Sequence, residues 1–308
     1  MPAPTPAYRT IAPADLPQND FYQFLIGSVA PRPIAFASTI SAAGAVNLSP
    51  YSFFNLVSAN PPMLVFSPTS RGRDNSEKDT LRNVREVAEV VINICDYPLV
   101  EQLSLASAEY PAGVNEFGKA GLTEAQSDRV RPPRVAECPV ALECVVEQLI
   151  ALGDGPGHGN LVLCRVVQGH FREDILLADK PGIDPHKFEA VSRLGGDWYS
   201  RLRPSTLFTV ARPNRQLGIG FDELPAHIRH SNVLTGNHLA RLANTERAAL
   251  PTPAQVAEVR HEPQVAQLLA THPDDPAAQR HQLALLARQW LEEGRVAEAW
   301  RVLLLLPA

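Results

Sequence analysis

At 308 residues with 45% hydrophobic content, the chain is long enough for one large domain or two ordinary ones and apolar enough to bury a core, which excludes a disordered protein. Lysine and arginine number 28 against 33 acidic residues, a formal net charge of −5, so no global field favours nucleic acid or an anionic membrane surface and any anion must be held locally. No apolar stretch reaches membrane-spanning length, and the opening Met1-Pro2-Ala3-Pro4-Thr5-Pro6 has neither a basic flank nor an apolar signal core, so a cytoplasmic protein with no membrane partner is expected.

Residues 1–20 are Pro-rich and read as an arm. Ile34 to Thr39 reads as a strand, Ser41 to Gly44 as a turn and Ala45 to Leu48 as the returning strand of a hairpin, whose rim carries Ser38, Thr39, Asn47 and Ser49. Met63 to Ser67 is a short apolar run between prolines. From Lys78 to Ala88 the apolar Leu81, Val84, Val87 and Ala88 share one helical face, and Ser76 followed by Asp79 approximates a capping signal, which predicts a helix starting near Ser76. Val90 to Cys95 reads as a buried strand, Pro98 to Ala106 as a short helix and Tyr110 to Arg134 as a long connection. Val140 to Ile150 and Leu161 to Phe171 are long β-type runs joined by the glycine-rich Gly153 to Gly159, a second hairpin. Thr206 to Pro251 is mixed and turn-rich, and Ala277 to Glu293 and Arg295 to Leu306 read as two helices separated by Gly294.

Paired hairpins with few intervening helices predict a mainly β chain, a closed or split antiparallel barrel with peripheral helices and an α-helical C-terminal extension, and argue against a doubly wound parallel sheet. The expected organisation is an arm at 1–20, a barrel domain at 21–205 and an irregular, then helical, extension at 206–308. The 28 prolines exceed the usual share of about 5% and suit a loop-rich fold.

Four motifs bear on chemistry. Gly113 to Ala120 nearly spells a phosphate-binding P-loop, but Ala120 lacks the hydroxyl that would hold magnesium and no buried strand precedes Gly113, which argues against a nucleotide triphosphatase. His227 and His230 are spaced for a shared helical face without the carboxylate-histidine set that would complete a metal site, so no metal is expected. The four cysteines are too few for a disulfide framework and form no CxxC pair; Cys95, Cys144 and Cys164 lie in apolar runs and Cys138 just before one. They read as small buried hydrophobes, with redox or metal chemistry as the other reading. Ser70, Arg71, Arg73, Ser76, Lys78 and Thr80 surround the predicted helix start, where free N–H groups and the helix dipole favour an anion such as phosphate; a solvated basic loop with a cap is the alternative.

The strings Pro31-Arg32-Pro33-Ile34-Ala35, Ser38-Thr39-Ile40, Asn47-Leu48-Ser49-Pro50-Tyr51-Ser52-Phe53-Phe54-Asn55, Pro61-Pro62-Met63, Phe66-Ser67 and Lys78-Asp79-Thr80-Leu81-Arg82-Asn83 together resemble the flavin reductase-like family with an FMN-binding split β-barrel. The resemblance runs over roughly residues 20–203 and ends on Arg193-Leu194-Gly195-Gly196-Asp197-Trp198-Tyr199. It implies FMN, with FAD as an alternative, and NADH or NADPH as co-substrate. The flavin phosphate would lie against Ser67 through Thr80, with Lys78 as counter-charge and Arg73, Ser76 and Thr80 nearby. The ring would lie beside Ser38, Thr39, Ile40 and the Asn47, Leu48, Ser49 and Ser52 turn. His158 falls where some relatives carry a histidine near the nicotinamide, and is otherwise a loop histidine; Tyr199 would cover the flavin or anchor the domain end. A homodimer is implied, and hydride transfer from nicotinamide to flavin, with a monooxygenase or another redox protein as partner. The competing reading is a non-enzymatic FMN-binding redox protein whose C-terminal extension recruits a partner.

Overall fold

The computed structural model describes residues 7–213 and 217–305, so the opening Met1 to Pro6, Asn214 and Leu306 lie outside the described residues. The chain divides after Phe208 into two compact units.

The first unit opens on α1 (Gln18–Ser28), a helix that begins inside the stretch read as an arm. β1 (Arg32–Pro33), β2 (Ala35–Ile40), β3 (Val46–Tyr51), β4 (Phe54–Ala59) and β5 (Pro62–Phe66) follow. The β2–β3 hairpin forms as expected, with Thr39 opposite Asn47 and Gly44 at φ +88° in the turn, a conformation glycine adopts without steric cost. β4 was not anticipated, because its mostly exposed face leaves no sustained apolar run. Next come α2 (Asp79–Glu86), β6 (Glu89–Ile94), α3 (Val100–Leu105), α4 (Glu116–Ala120), β7 (Glu124–Ala125), β8 (Arg134–Val135), β9 (Val140–Ala151) and β10 (Asn160–Phe171). β11 (Val191–Arg193) and β12 (Tyr199–Arg201) close the unit.

Two expectations need correction. The helix α2 starts at Asp79 with Lys78 at its N-cap, not near Ser76, whose hydroxyl donates instead to Asp74 Oδ1 at 2.6 Å. The stretch read as a plain connection contains α4, one turn capped by Asn115, whose side chain accepts from the Phe117 N–H at 3.0 Å; a single turn is too short to show periodicity.

Seven strands form one antiparallel sheet in the order β3-β2-β6-β9-β10-β5-β4. Its edges, β3 and β4, do not pair with each other among the described residues, so the closed form of the expected barrel is absent. Strand alternation divides the core into two layers. Ala35, Ala37, Val90 and Ile92 pack with Leu81 and Val84 of α2, while Phe36 and Leu48 pack with Leu103 of α3 and Phe117 and Ala120 of α4.

Arg32 explains part of the Pro-Arg-Pro string. Its guanidinium, 7% exposed, donates to the carbonyls of Ile26 at 2.6 Å, Val29 at 2.6 Å and Leu194 at 2.7 Å, tying α1 to the chain just past β11. Replacing Arg32 with methionine leaves those carbonyls unpaired and is expected to cost about 2–3 kcal/mol, read as a drop of several degrees in Tm by circular dichroism.

The second unit is helical: α5 (Ala226–Arg229), α6 (Gly236–Ala243), α7 (Pro253–Glu258), α8 (Pro263–Thr271), α9 (Pro276–Glu292) and α10 (Val296–Leu303). The expected helix pair is present as α9 and α10, with Gly294 at φ +83° between them. Trp290 and Trp300, each 1% exposed, anchor a core drawn wholly from this unit, and the Trp300 indole N–H donates to Thr245 Oγ1 at 2.9 Å.

Candidate functional site

Beside the edge strand β3 lies a cleft lined by Asn47, Ser49 and Tyr51, by Arg71, by Lys78, Asp79 and Thr80 at the start of α2, by Ser107 to Tyr110, and by Glu116 of α4. The alternation of β3 puts Asn47, Ser49 and Tyr51 on one face. Among the residues anticipated from the sequence, this cleft brings Asn47, Ser49, Arg71, Lys78 and Thr80 together.

Much of its polar floor is already paired. Thr80 Oγ1 donates to Asn47 Oδ1 at 2.6 Å and receives the Tyr51 hydroxyl at 2.9 Å. Asn83 Nδ2 donates to Thr39 Oγ1 at 3.1 Å. Asn47 Nδ2 and the Leu48 backbone N–H both donate to the Glu116 carboxylate, at 3.0 and 2.9 Å. Glu116 thereby satisfies an edge-strand donor that would otherwise be buried and unpaired. Burial pushes its carboxyl above the usual range, against the opposing effect of those donors.

Lys78 differs from this floor. Its ammonium lies 5.5 Å above the centre of the Tyr51 ring, half-buried, and no hydrogen bond or ion pair to it is present among the described residues. Burial lowers its pKa from the ordinary lysine value, with Glu109 opposing that shift and Arg71 adding to it. No side chain caps α2; the Leu81 N–H donates to the Lys78 carbonyl at 3.0 Å, which leaves the N–H groups of Asp79 and Thr80 open to an acceptor among the described residues. A desolvated cation and an uncapped helix start at one cleft suit an anion.

The other anticipated residues lie elsewhere. Alternation sends Ser38 to the opposite sheet face from Thr39; Ser38 is fully buried and its hydroxyl has no partner within the described residues. Ile40 is the last residue of β2, opposite Val46, and the Leu48 side chain belongs to the α3–α4 core layer. Arg73 turns outward, 67% exposed, to an ion pair with Glu109 at 2.9 Å. Ser76 accepts from Arg71 Nη1 at 3.2 Å, and Ser52 Oγ lies 3.5 Å from Arg32 Nε. Ser67 Oγ accepts the Asn160 N–H at 3.1 Å.

The glycine hairpin is fastened to the loop before α2. Ser70 Oγ lies 3.0 Å from His158 Nδ1 and accepts the Gly157 N–H at 2.9 Å. The same His158 nitrogen lies 2.7 Å from the Gly155 carbonyl, and Asn75 Nδ2 donates to the Asp154 carbonyl at 2.6 Å. A Cβ on Gly159 would come within 2.9 Å of Ser67 Oγ, so this close approach needs glycine. His158 therefore holds the loop. Tyr199 packs on the α3–α4 core layer under the Arg193 guanidinium, 4.5 Å from its ring centre, which favours the anchoring reading.

Tyr51, Glu109 and Glu116 were not anticipated as site residues, whereas Arg71, expected in the anion cluster, does line the cleft. Arg71 donates to the Glu77 carbonyl at 2.8 Å, and its Nε is buried 3.8 Å from Glu109.

Three solved structures share this architecture. Nitrilotriacetate monooxygenase component B from Bacillus cereus is 33% identical, with a TM-score of 0.62 over 67% of this chain and 100% of its own. The Pseudomonas fluorescens 2-nitrobenzoate 2-nitroreductase is 28% identical, with a TM-score of 0.59 over 66% of this chain and 96% of its own. A Shewanella frigidimarina structure described as a flavin reductase with a split barrel domain, 22% identical at a TM-score of 0.54 over 65% of this chain and 93% of its own, bears on the fold alone. The model of the flavin reductase like domain matches residues 27–183, a span that holds the whole seven-stranded sheet and every residue of the cleft. By that match, and by the strings around Arg32, Asn47 and Lys78 that build these features, the chain belongs to the flavin reductase-like family.

Proposed function

We infer that this protein is an NAD(P)H-dependent flavin reductase that takes FMN and passes reduced flavin, or its electrons, to a monooxygenase. The observation that carries the reading is the half-buried Lys78 ammonium, without a hydrogen bond or ion pair among the described residues, beside the start of α2, which no side chain caps. These groups fit a phosphate ester, and the buried hydroxyl of Ser38 remains an unspent donor on the opposite sheet face.

When bound, flavin supplies the hydride-accepting chemistry, which asks of the protein orientation and access. Lys78 and the backbone N–H groups of Asp79 and Thr80 would hold the phosphate. Ser49, another anticipated β3 side chain of the cleft, hydrogen-bonds the Tyr51 hydroxyl and so extends the paired floor toward the ligand. Thr80, Asn47 and Glu116 keep β3 and α2 in register, so the cleft is formed before a ligand arrives. His158 keeps the loop before α2 closed against the glycine hairpin. Similarity to monooxygenase component B supports a monooxygenase as the electron acceptor. Exposed Phe53, Leu56 and Val57 at the edge strand β4, at 38%, 62% and 52%, support a homodimer, since such an edge is otherwise open to uncontrolled pairing.

The test is anaerobic addition of NADH or NADPH to a large excess of FMN with catalytic amounts of protein. Loss of the oxidised flavin bands over many turnovers is expected. FMN binding without turnover would turn the assignment to a non-enzymatic redox protein, a reading favoured by the separate core of the second unit. Turnover that appears only with a nitroaromatic acceptor would place the chain with the nitroreductase it resembles.

The second unit's part is tested by ending the chain at Phe208. Because neither unit draws core residues from the other, the shortened protein is expected to bind FMN with unchanged affinity by fluorescence quenching.

A further inference from the structure

Cys95 and Cys138 lie with their sulfurs 3.2 Å apart, although 43 residues separate them in the chain. The topology brings them together. The β6–β9 ladder ends on the pair Ile94 and Val140, so Cys95 leaves β6 at the ladder end where Cys138 approaches β9. The approach is held by Asn93, whose Oδ1 accepts the Val135 N–H at 2.9 Å and whose Nδ2 donates to the Phe36 carbonyl at 3.0 Å. The Cys138 N–H donates to the Val135 carbonyl at 3.2 Å. Cys95 is 3% exposed, whereas Cys138 is only partly buried.

We propose that Cys95 and Cys138 form an oxidisable dithiol, with Cys138 the site of attack on hydrogen peroxide and Cys95 the resolving thiol. In the first step the Cys138 sulfur takes one oxygen from peroxide, giving a sulfenic acid and water. In the second the Cys95 sulfur displaces that hydroxyl, its own proton leaves with it as a second water, and the S–S bond forms. Peroxide is the oxidant and accepts both electrons. The asymmetry of exposure sets the order, because peroxide reaches Cys138 first. Burial and the adjoining Cys138 sulfur hold the Cys95 thiol protonated, which keeps it from competing with Cys138 for peroxide; its proton leaves only as it attacks the sulfenic acid beside it.

Cys144 and Cys164 supply an internal control. They too lie against each other, on β9 and β10, and each donates to a backbone carbonyl, Leu142 and Leu64 respectively, but both are fully buried, so they test whether exposure of one sulfur is what admits peroxide.

The experiment treats the full chain with hydrogen peroxide, quenches with catalase, denatures, alkylates with iodoacetamide and maps peptides without reduction. The expected result is loss of alkylation at Cys95 and Cys138 alone, a cross-linked peptide that has lost two hydrogens, and its reversal by dithiothreitol. In Cys95→Ala, Cys138 is expected to accumulate oxygen adducts instead. Equal alkylation of all four cysteines before and after peroxide would overturn the proposal, as would a cross-link through Cys144 or Cys164, or oxygen adducts on Cys138 of the unaltered chain without a cross-link. None of these readouts depends on flavin.

Discussion

Replacing Lys78 with methionine is expected to weaken FMN binding about 10- to 100-fold, the loss that follows from removing one charge-assisted contact to a phosphate. Methionine keeps an unbranched apolar side chain of similar length and removes only the ammonium that lies over the Tyr51 ring, so the fold is expected to be retained. Riboflavin, which has the ring and no phosphate, separates the contributions: its affinity is expected to be the same in both proteins. Equal weakening of FMN and riboflavin would mean that Lys78 serves the ring or the fold, and no weakening of either would remove the phosphate from this cleft. The pH dependence has a definite sign. Burial lowers the Lys78 pKa, and only the ammonium attracts phosphate, so FMN affinity falls as pH rises through a value below that of an ordinary lysine, about 10.4. Stability of the ligand-free chain moves the other way. Burying the charged form opposes folding, and that opposition fades as the group loses its proton in the same window. Fluorescence titrations of flavin across neutral and alkaline pH read the first effect, and urea unfolding at the same pH values reads the second.

The parts of the site legible in the sequence are those written by local pattern. Asn47, Ser49, Lys78 and Thr80 sit on a hairpin strand and a helix start whose periodicities are visible, and the structure gathers all four at one cleft. Ser38 and Thr39 show the limit of that reading: both belong to the polar rim of one strand, yet a strand sends neighbours to opposite faces. Ser76 had the residue type of a cap but lies before the helix, spent on Asp74. Glu116 was hidden because its partner Leu48 is 68 residues away, and the one-turn helix that carries it is written in a string resembling a P-loop. The Pro-Arg-Pro string was recognisable, but the Leu194 carbonyl that Arg32 holds is 162 residues on. Chemistry encoded by spacing within an element survives in the sequence, and chemistry completed by a residue from another element emerges only when the sheet is assembled.

Replacing Glu143 with alanine is expected to be the most destabilising single change considered, at about 3–5 kcal/mol, the range for removing one partner of a buried charged group. Glu143 stands on β9 with no exposure, and its carboxylate accepts the backbone N–H of Asp128 at 2.8 Å and of Arg129 at 2.6 Å, and His170 Nε2 at 2.6 Å. Truncation orphans two backbone donors and one imidazole together and leaves a cavity between them. Asp128, Glu143 and His170 present ligand atoms within 4.8 Å of one another, but the Glu143 oxygens are already engaged by those donors. Desolvation pushes the carboxyl up, and the three hydrogen bonds outweigh it, so its pKa in the folded chain lies below the usual carboxylate value. A depressed folded pKa contributes stability that is complete above the unfolded value, about 4.3, and disappears as pH falls through the folded one. The unaltered chain should therefore lose stability as the solution is acidified below that unfolded value. Glu143→Gln should lack that component, because its amide does not titrate. Urea unfolding from neutral to acidic pH, monitored by circular dichroism, measures both. An acid limb equally steep in Glu143→Gln would assign the pH dependence to other carboxylates, and a Glu143→Ala midpoint equal to that of the unaltered chain would show that the loop at Asp128 and Arg129 finds its partners in water.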